Sequence, residues 1–322
     1  METELVPGQS ELLAAREEGR FEPRQAVQFA ERSVSVETRR AYERVVREFF
    51  ASVGNPAPGM VTVAQVQAWR DSLLRRKRQK AATVAFKLTV LRSFFSYLTA
   101  LGILEKNPAD QKFVMSPKLP ETMAGRALTA EDVRRLLCGP DRRRAEGARD
   151  FALLMVMLRL GVRVSEVCSL RVSDIRWTHG RSILKFKVKG GRERALPLPD
   201  DVRAAIRDYL KLDESRRRNL HSDGDEAFLF QPLVNYRTLE FARPLSTRMV
   251  HLIVRRWGDY CGVGKLSPHD LRRTAITRAL DQGLSYRQVQ MMSGHEDPKT
   301  VMRYDHNREN LEQNAVNHLN YD

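Results

Sequence analysis

The sequence predicts a mainly α-helical protein of two domains, an all-helical first domain and an α+β second domain with a small antiparallel β-sheet. Three observations lead to this class. Apolar residues recur at helical spacing over much of the chain, a proline-containing segment divides it at residues 109–126, and an alternating stretch and a second predicted strand flank Gly190-Gly191. A chain of 322 residues has room for two separate cores.

The formal net charge of +15 indicates a polyanionic partner, with nucleic acid as the first candidate. Residues 1–4 are acidic and no apolar core follows them, so we expect no signal peptide. The longest strongly apolar run, residues 151–158, is too short to span a bilayer. Three widely spaced cysteines are typical of reduced thiols in an intracellular protein. These features predict a cytoplasmic protein with no membrane partner.

The first domain is predicted to be a bundle of helices over residues 33–108. Residues 1–32 lack a clear apolar stripe, which predicts an extension with at most one loose helix. Within the bundle, Thr62 and Gln65 form a capping-box start for a second helix, and a third runs over about 81–101.

A basic run of five cations in six residues lies between the second and third of these helices. At that position it would neutralise several DNA phosphates together. A merely solvated turn explains the composition about as well as DNA contact does. The cations are Arg75, Arg76, Lys77, Arg78 and Lys80.

The second domain is predicted over residues 127–308, after a linker at 109–126 that would act as a hinge. Two strands are expected at 182–189 and 192–198, because side chains alternate along the first and Gly190-Gly191 suits a two-residue turn. Helices are expected from Thr129, at 150–160, at 200–210 and at 246–260, with a short strand at 228–230.

A further helix start, at Ser267, is suited to holding a phosphate. Ser267 is a good N-cap, Pro268 fits the first helical position, and Asp270 can complete a capping box. With that phasing, His269 and Arg272 lie three residues apart on one face, at the helix end that favours an anion.

Four other residues could take part in phosphate chemistry. Arg163 lies between two apolar segments with Glu166 three residues on, Lys189 ends a strand beside the Gly-Gly turn, and His295 and Tyr304 follow later in the chain. Taken singly, each has an ordinary explanation: an ion pair, a solvated turn lysine, or a core tyrosine. No single motif is decisive.

In order and flanking sequence, however, the motifs resemble those of the tyrosine recombinases, the phage-integrase and Xer-like enzymes. The resemblance covers the second domain motif by motif and, more weakly, the first, which is similar to the family's core-binding domain. It therefore implies a catalytic domain of the tyrosine recombinase type. The motifs are Arg-Val-Ser-Glu at 163–166, Lys189 before Arg194 and Leu-Pro-Leu at 196–198, His-Asp-Leu-Arg-Arg-Thr at 269–274, Gly-His at 294–295, and Tyr304.

The resemblance implies that Tyr304 is the nucleophile. It would attack a DNA phosphodiester and become joined to the 3′ phosphate, releasing a 5′ hydroxyl. Arg163 and Arg272 would clamp the scissile phosphate, since a guanidinium matches two phosphate oxygens and stays charged. A phenol is a poor nucleophile at neutral pH unless cations stabilise its anion.

The resemblance also implies four supporting roles. His269 would assist proton movement at the nucleophile, and Lys189 would protonate the leaving 5′ oxygen. His295 would donate to a non-bridging oxygen, and Glu166 would support Arg163.

We expect no metal and no other cofactor. The sequence has no closely spaced carboxylate set suited to two-metal phosphoryl transfer, and no nucleotide-binding P-loop. A phosphotyrosine bond conserves the energy needed for rejoining, so ATP is not required.

Three residues depart from the pattern of the family. Leu160 stands where a small polar residue is frequent, Ser293 replaces a common leucine before Gly-His, and Asp305 follows Tyr304 where threonine is frequent. An anion at Asp305 would oppose phosphate approach unless it points away.

Residues 309–322 form a tail with apolar residues on one side, too short to be a stable helix alone. In the family such a segment docks on a neighbouring protomer; docking on its own domain is the equal alternative here. The resemblance implies double-stranded DNA as partner and a homo-tetramer on two DNA sites, built from a monomer or dimer at each.

The predicted function is site-specific DNA recombination in integration and excision, in a bacterial-type, nucleoid-associated setting. The alternative is Xer-type resolution of chromosome or plasmid dimers. Less favoured are relaxation of the type IB topoisomerase kind, which the compact size and tail disfavour, and DNA binding without catalysis, which the complete residue set disfavours.

Overall fold

The computed structural model describes residues 19–76, 78–119, 125–187, 193–219, 224–233, 242–305 and 317. The chain divides into two compact units, Met1–Pro120 and Glu121–Asp322. Among the described residues, no helix is both long enough and apolar enough to cross a membrane.

The described part of the first unit is helical around an aromatic core. Phe49, Phe50, Phe94 and Phe95 are fully buried, and neighbouring ring centroids lie 5.2 to 6.1 Å apart in mostly edge-to-face contacts. The predicted capping box is present, with the Thr62 hydroxyl accepting from the Gln65 N–H at 3.2 Å. The helices are α1 (Pro23–Glu31), α2 (Val36–Ser52), α3 (Val63–Arg75) and α4 (Ala81–Ala100).

Residues 1–32 were predicted to be an extension with at most one loose helix, and α1 corrects this, because it is a packed helix. Phe29 is 2% exposed, and its ring contacts Tyr42 and Phe94 at centroid distances of 5.6 and 5.4 Å. The apolar stripe of α1 consists of Phe29 and two alanines, which is too short to predict from spacing. Helix α1 therefore contributes to the core of this unit.

The predicted linker at 109–126 also differs from the structure. Ala109 and Val114 are fully buried in the core of the first unit. Arg92 of α4 donates to both of their carbonyls, at 3.1 and 2.6 Å. Because these hydrogen bonds join a side chain to backbone carbonyls, the hydrophobic periodicity of the sequence does not predict them. Residues 109–119 accordingly pack with the first unit.

The second unit is built around α6, which is buried on nearly all sides and matches the apolar run predicted at 150–160. Its helices are α5 (Ala130–Cys138), α6 (Ala145–Leu160), α7 (Val164–Ser169), α8 (Asp200–Asn219), α9 (Thr247–Tyr260), α10 (Pro268–Asp281), α11 (Tyr286–Ser293) and α12 (Pro298–Met302). Helix α6 ends at Gly161, whose φ of +60° is a left-handed conformation that suits glycine.

Three antiparallel strands form a small sheet in the order β1 (Ile175–Thr178), β2 (Arg181–Lys187) and β3 (Glu193–Pro197). Both predicted strands are present, and Lys185 of β2 lies opposite Ala195 of β3. The predicted turn at Gly190-Gly191 lies outside the described residues. Strand β1 was not predicted. The strand predicted at 228–230 is instead a single bridge between Phe228 and Arg171.

Candidate active site

Arg163 is the N-cap residue of α7, immediately after the turn that ends α6. The carboxylate of Glu166 accepts hydrogen bonds from the Arg163 backbone N–H at 2.7 Å and from Nη1 at 3.2 Å. Nη2 donates to the Gly294 carbonyl at 3.0 Å. The guanidinium is therefore fixed on two sides, while 39% of the side chain remains exposed. The ion pair expected from spacing exists, and it leaves part of Arg163 accessible.

Arg194 of β3 is a site residue whose importance sequence reasoning missed. Its Nη2 donates to Glu166 at 3.0 Å, and its Nη1 donates to the Met292 carbonyl. Burial lowers the pKa of Arg194 from its ordinary value, against the opposing effect of Glu166. The available signal was strand alternation, because Arg194 lies on the same face of β3 as the buried Leu196.

Glu166 is thus shared between two arginines, and it is 4% exposed. The Gly294 loop fits tightly against this group, because a Cβ at Gly294 would lie 2.9 Å from the Arg194 Cζ atom. Gly294 also has a φ of +67°. A side chain at position 294 would therefore meet both backbone strain and a steric clash.

Arg272 follows the first turn of α10, whose start has the predicted capping box. The Asp270 carboxylate accepts from the Ser267 N–H at 2.9 Å and from its hydroxyl at 2.7 Å. Arg272 is 4% exposed and donates to the Gly161 carbonyl at 2.6 Å. Burial, and then the nearby charge of Arg163, lower the pKa of Arg272 to about 10. It therefore remains charged at neutral pH.

The imidazole of His295 contacts Arg272, whose Nη2 lies 3.0 Å from Nε2. The other ring nitrogen, Nδ1, lies 2.9 Å from the Ser293 hydroxyl. Burial, and then the charges of Arg272, Arg163 and Arg194, lower the pKa of His295 to about 4. The ring is therefore neutral at pH 7, and in the structure Nε2 accepts from Arg272.

Tyr304 follows α12 and is 9% exposed, within a small apolar cluster that includes Ile276 and Val289. Its ring centroid lies 5.8 Å from that of His295. The Arg273 guanidinium also contacts the Tyr304 ring, with its Cζ atom 5.5 Å from the ring centroid. The structure thus brings Tyr304 together with Arg163, Arg272 and His295 in the second unit.

Asp305 is held by Tyr286, whose hydroxyl donates to its carboxylate at 2.6 Å. Tyr286 begins α11, whereas His295 follows the end of that eight-residue helix. At 1.5 Å per residue, the two ends of α11 are about 10 Å apart. The carboxylate next to Tyr304 is therefore anchored at the end of α11 remote from His295.

The two remaining catalytic candidates are His269 and Lys189. His269 is exposed in the first turn of α10, three residues before Arg272. Lys189 lies outside the described residues, two positions beyond the exposed Lys187 that ends β2.

The basic run of the first unit lies at the end of α3 and the start of α4. Its described members are exposed, while Lys77 lies outside the described residues. Arg78 has a φ of +47°, an uncommon conformation for a residue with a side chain. The exposed cations are Arg75, Arg76, Arg78 and Lys80. Over the part of the chain that the structure describes, no group of three or more His, Cys, Asp or Glu side chains could hold a metal ion.

Two family models match the chain. The model described as "Phage integrase family" matches residues 126–310, and "Phage integrase, N-terminal SAM-like domain" matches residues 28–102. Among curated proteins, the tyrosine recombinase XerC of Thermodesulfovibrio yellowstonii is 32% identical over 273 residues, which cover 84% of this chain and 86% of that protein. The tyrosine recombinase XerD of Listeria monocytogenes is 29% identical, covering 86% and 90%.

Solved structures share the fold at low sequence identity. The XerH site-specific recombinase bound to its difH substrate aligns with a TM-score of 0.65 and 16% identity, over 98% of this chain and 97% of that one. A lambda integrase dimer bound to a COC′ core site aligns with a TM-score of 0.63 and 17% identity, over 89% and 94%.

Proposed function

The chain belongs to the phage integrase family, and on that premise we propose that it is a site-specific DNA recombinase. It cuts and rejoins DNA strands through a covalent 3′-phosphotyrosine intermediate, in the integration and excision of DNA. The observation that carries this proposal is the convergence of Arg163, Arg272, His295 and Tyr304 in one unit. Those are the cations, the imidazole and the nucleophile that the reaction requires.

Cleavage begins with attack of the Tyr304 oxygen on the scissile phosphorus. A bond forms between that oxygen and phosphorus, the bond from phosphorus to the 5′ oxygen breaks, and the phosphate stays joined to the 3′ side. The phenol proton passes toward His269, and Lys189 gives a proton to the departing 5′ oxygen. Attack by a 5′ hydroxyl of another strand reverses these steps and regenerates Tyr304.

Arg163 and Arg272 stabilise the charge that develops on the phosphate oxygens. Each guanidinium has five N–H groups, and the contacts to Glu166, Gly161, Gly294 and His295 use only some of them. The others remain for phosphate. Because the contacts already present fix both side chains, little reorganisation is needed when the transition state forms.

Double-stranded DNA is the proposed substrate, and a tetramer assembled on two sites is the proposed working form. The net charge of +15 supports a polyanionic partner. The aligned lambda integrase structure is a dimer bound to a core site, which supports assembly of more than one protomer on DNA. A nucleoid-associated, cytoplasmic location is part of the proposal, and the bacterial relatives support it.

Xer-type resolution of chromosome or plasmid dimers is the second candidate role, because the XerC and XerD proteins named above align over most of their length. Genomic DNA captured by the Tyr304→Phe protein distinguishes the two roles. Sites at the ends of mobile elements support integration and excision, whereas one short palindromic chromosomal site supports dimer resolution.

The test of the proposed function is recombination between two captured sites on one plasmid. A recombinase deletes or inverts the DNA between the sites. Relaxation of supercoils without deletion or inversion would instead indicate activity of the topoisomerase IB kind. Binding alone, without either product, would contradict a catalytic role.

A further inference from the structure

Ser293 is a fully buried residue at the last position of α11, two residues before His295. Its hydroxyl oxygen lies 2.9 Å from Nδ1 of His295 and 3.5 Å from the Gln290 carbonyl. We propose that Ser293 is a positioning residue that keeps Nδ1 of His295 hydrogen-bonded in either tautomer, so that the neutral ring can present Nε2 bare to Arg272 or protonated to a phosphate. The readouts of this inference in the DNA complex and in cleavage rest on the proposed recombinase function.

The contacts of His295 determine its proton arrangement in the DNA-free site. Arg272 can only donate, so Nε2 must accept its hydrogen bond and carries no proton. The proton of the neutral ring is then on Nδ1, which donates to the Ser293 hydroxyl. That hydroxyl has its own hydrogen left to give to the Gln290 carbonyl, at the long limit of a hydrogen bond.

A bound phosphate requires the opposite arrangement at His295. Phosphate oxygens accept hydrogen bonds and repel a lone pair, so Nε2 must carry a proton to face them. The ring releases its Nδ1 proton to water and takes one from water at Nε2, which leaves its charge unchanged. The Ser293 hydroxyl then rotates away from the Gln290 carbonyl and donates to Nδ1.

A serine at this position can serve both states because a hydroxyl donates as well as accepts. The leucine that is common in the family at this position would contact the ring without a hydrogen bond. The hydrogen bond from the Ser293 hydroxyl to the Gln290 carbonyl is long and therefore weak, so little free energy is lost when the hydroxyl rotates away from it. Ser293 therefore supports a neutral His295 both before and after phosphate binding.

The test compares Ser293→Ala and Ser293→Thr with Ser285→Ala in the full-length chain. Ser285 caps the other end of α11 through the Gln288 N–H, so its loss weakens the same helix without touching His295. Long-range ¹H–¹⁵N spectra report the tautomer, and the His295→Gln variant identifies the signals of that ring. Ser293→Cys replaces Ser293→Ala if the alanine variant does not fold.

In the protein without DNA, we expect the Nδ1-protonated form in wild type and in all three variants, because Arg272 holds Nε2 as an acceptor. In DNA complexes of the same proteins carrying Tyr304→Phe, serine or threonine at position 293 and Ser285→Ala should give the Nε2-protonated form. Ser293→Ala should give a mixture of tautomers there, because no hydroxyl remains to donate to Nδ1. A purely Nε2-protonated ring in the DNA complex of Ser293→Ala, or the same mixture in that of Ser285→Ala, would overturn the inference.

The cleavage rate supplies the second readout. Ser293→Ala should slow formation of the DNA adduct about 10-fold, and Ser293→Thr should restore most of the rate. Equal slowing in Ser285→Ala would show a merely structural role and contradict the inference. Absence of adduct in wild type would contradict the proposed function instead, while the tautomer result would still stand.

Discussion

The ring of Tyr304 lies beside the imidazole of His295, with their centroids 5.8 Å apart and their planes inclined by 32°. Both residues belong to the second unit, together with Arg163 and Arg272. In the DNA-free chain, the proposed nucleophile is therefore packed next to the cations of its own protomer. Docking of residues 309–322 on a neighbour stays a prediction, because apart from Asn317 that tail lies outside the described residues.

Replacement of Glu166 by glutamine should both destabilise the second unit and slow cleavage. The change removes the buried anion that Arg163 and Arg194 share. Loss of one partner in such a group typically costs about 3 kcal/mol, because the charge of Arg194 stays buried. Urea unfolding measures this loss. Glu214→Gln, at an exposed pair with Arg218, should change the free energy of unfolding by under about 1 kcal/mol. Equal effects of the two variants would contradict the role of Glu166.

The lowered pKa of His295 should make folding stability depend on pH between about 4 and 6.5. Between these two pH values, the imidazole of His295 binds a proton in the unfolded chain but stays neutral in the folded protein. The stabilising contribution is therefore complete above pH 6.5 and is lost as the pH falls toward 4. Between pH 7 and pH 5, wild type should lose about 1 to 2 kcal/mol more stability than His295→Gln, after allowance for partial exposure of the ring. Parallel losses in the two proteins would exclude a neutral, buried His295.

Release of Asp305 should hinder the reaction. In Tyr286→Phe, the carboxylate next to Tyr304 loses the hydroxyl that holds it. An anion that is less firmly held near the nucleophile opposes phosphate approach, so adduct formation should slow by about 10-fold, which corresponds to about 1.4 kcal/mol. Asp305→Asn combined with Tyr286→Phe removes that charge and should recover the rate. If the double variant stays as slow as Tyr286→Phe, the effect of Tyr286 is not electrostatic.

The exposed cations between α3 and α4 should contribute to DNA affinity through phosphate contacts. Their joint replacement by alanine should weaken binding and flatten the log–log salt dependence by about 0.9 for each lost contact. The replaced residues are Arg75, Arg76, Arg78 and Lys80. A control removes the same charge from exposed positions of α8. The control residues are Arg203, Arg207, Lys211 and Arg218. An equal change of slope in the control would mean that net charge alone, and not the turn, determines affinity.

The sequence predicted the parts of the fold that depend on local chemistry. The capping box of Ser267 and Asp270 and the two predicted strands are present, because cap residues and alternation act within a few positions. The packing of helix α1 was not predicted, because it depends on the contact between Phe29 and Phe94, which is far along the chain. Tertiary contacts of this kind leave no periodic signal.

At the candidate active site too, local contacts were predicted from the sequence and contacts between separate elements were not. The motif at 163–166 predicted that Glu166 supports Arg163, and the two residues form the ion pair. Spacing did not reveal that Arg194 shares this carboxylate, or that Tyr286 holds Asp305, because both contacts join separate elements. The departure noted at Ser293 became informative only when its distance to His295 was known.

The central claim, that Tyr304 attacks a DNA phosphate, is tested most directly by trapping the adduct. A nicked suicide substrate carrying a captured site is incubated with wild type and with Tyr304→Phe, in the presence of a magnesium chelator. We expect a covalent protein–DNA adduct with wild type that peptide mapping assigns to Tyr304, and no adduct with Tyr304→Phe at unchanged DNA affinity. An adduct formed by Tyr304→Phe, or one mapped to another residue of wild type, would contradict the claim.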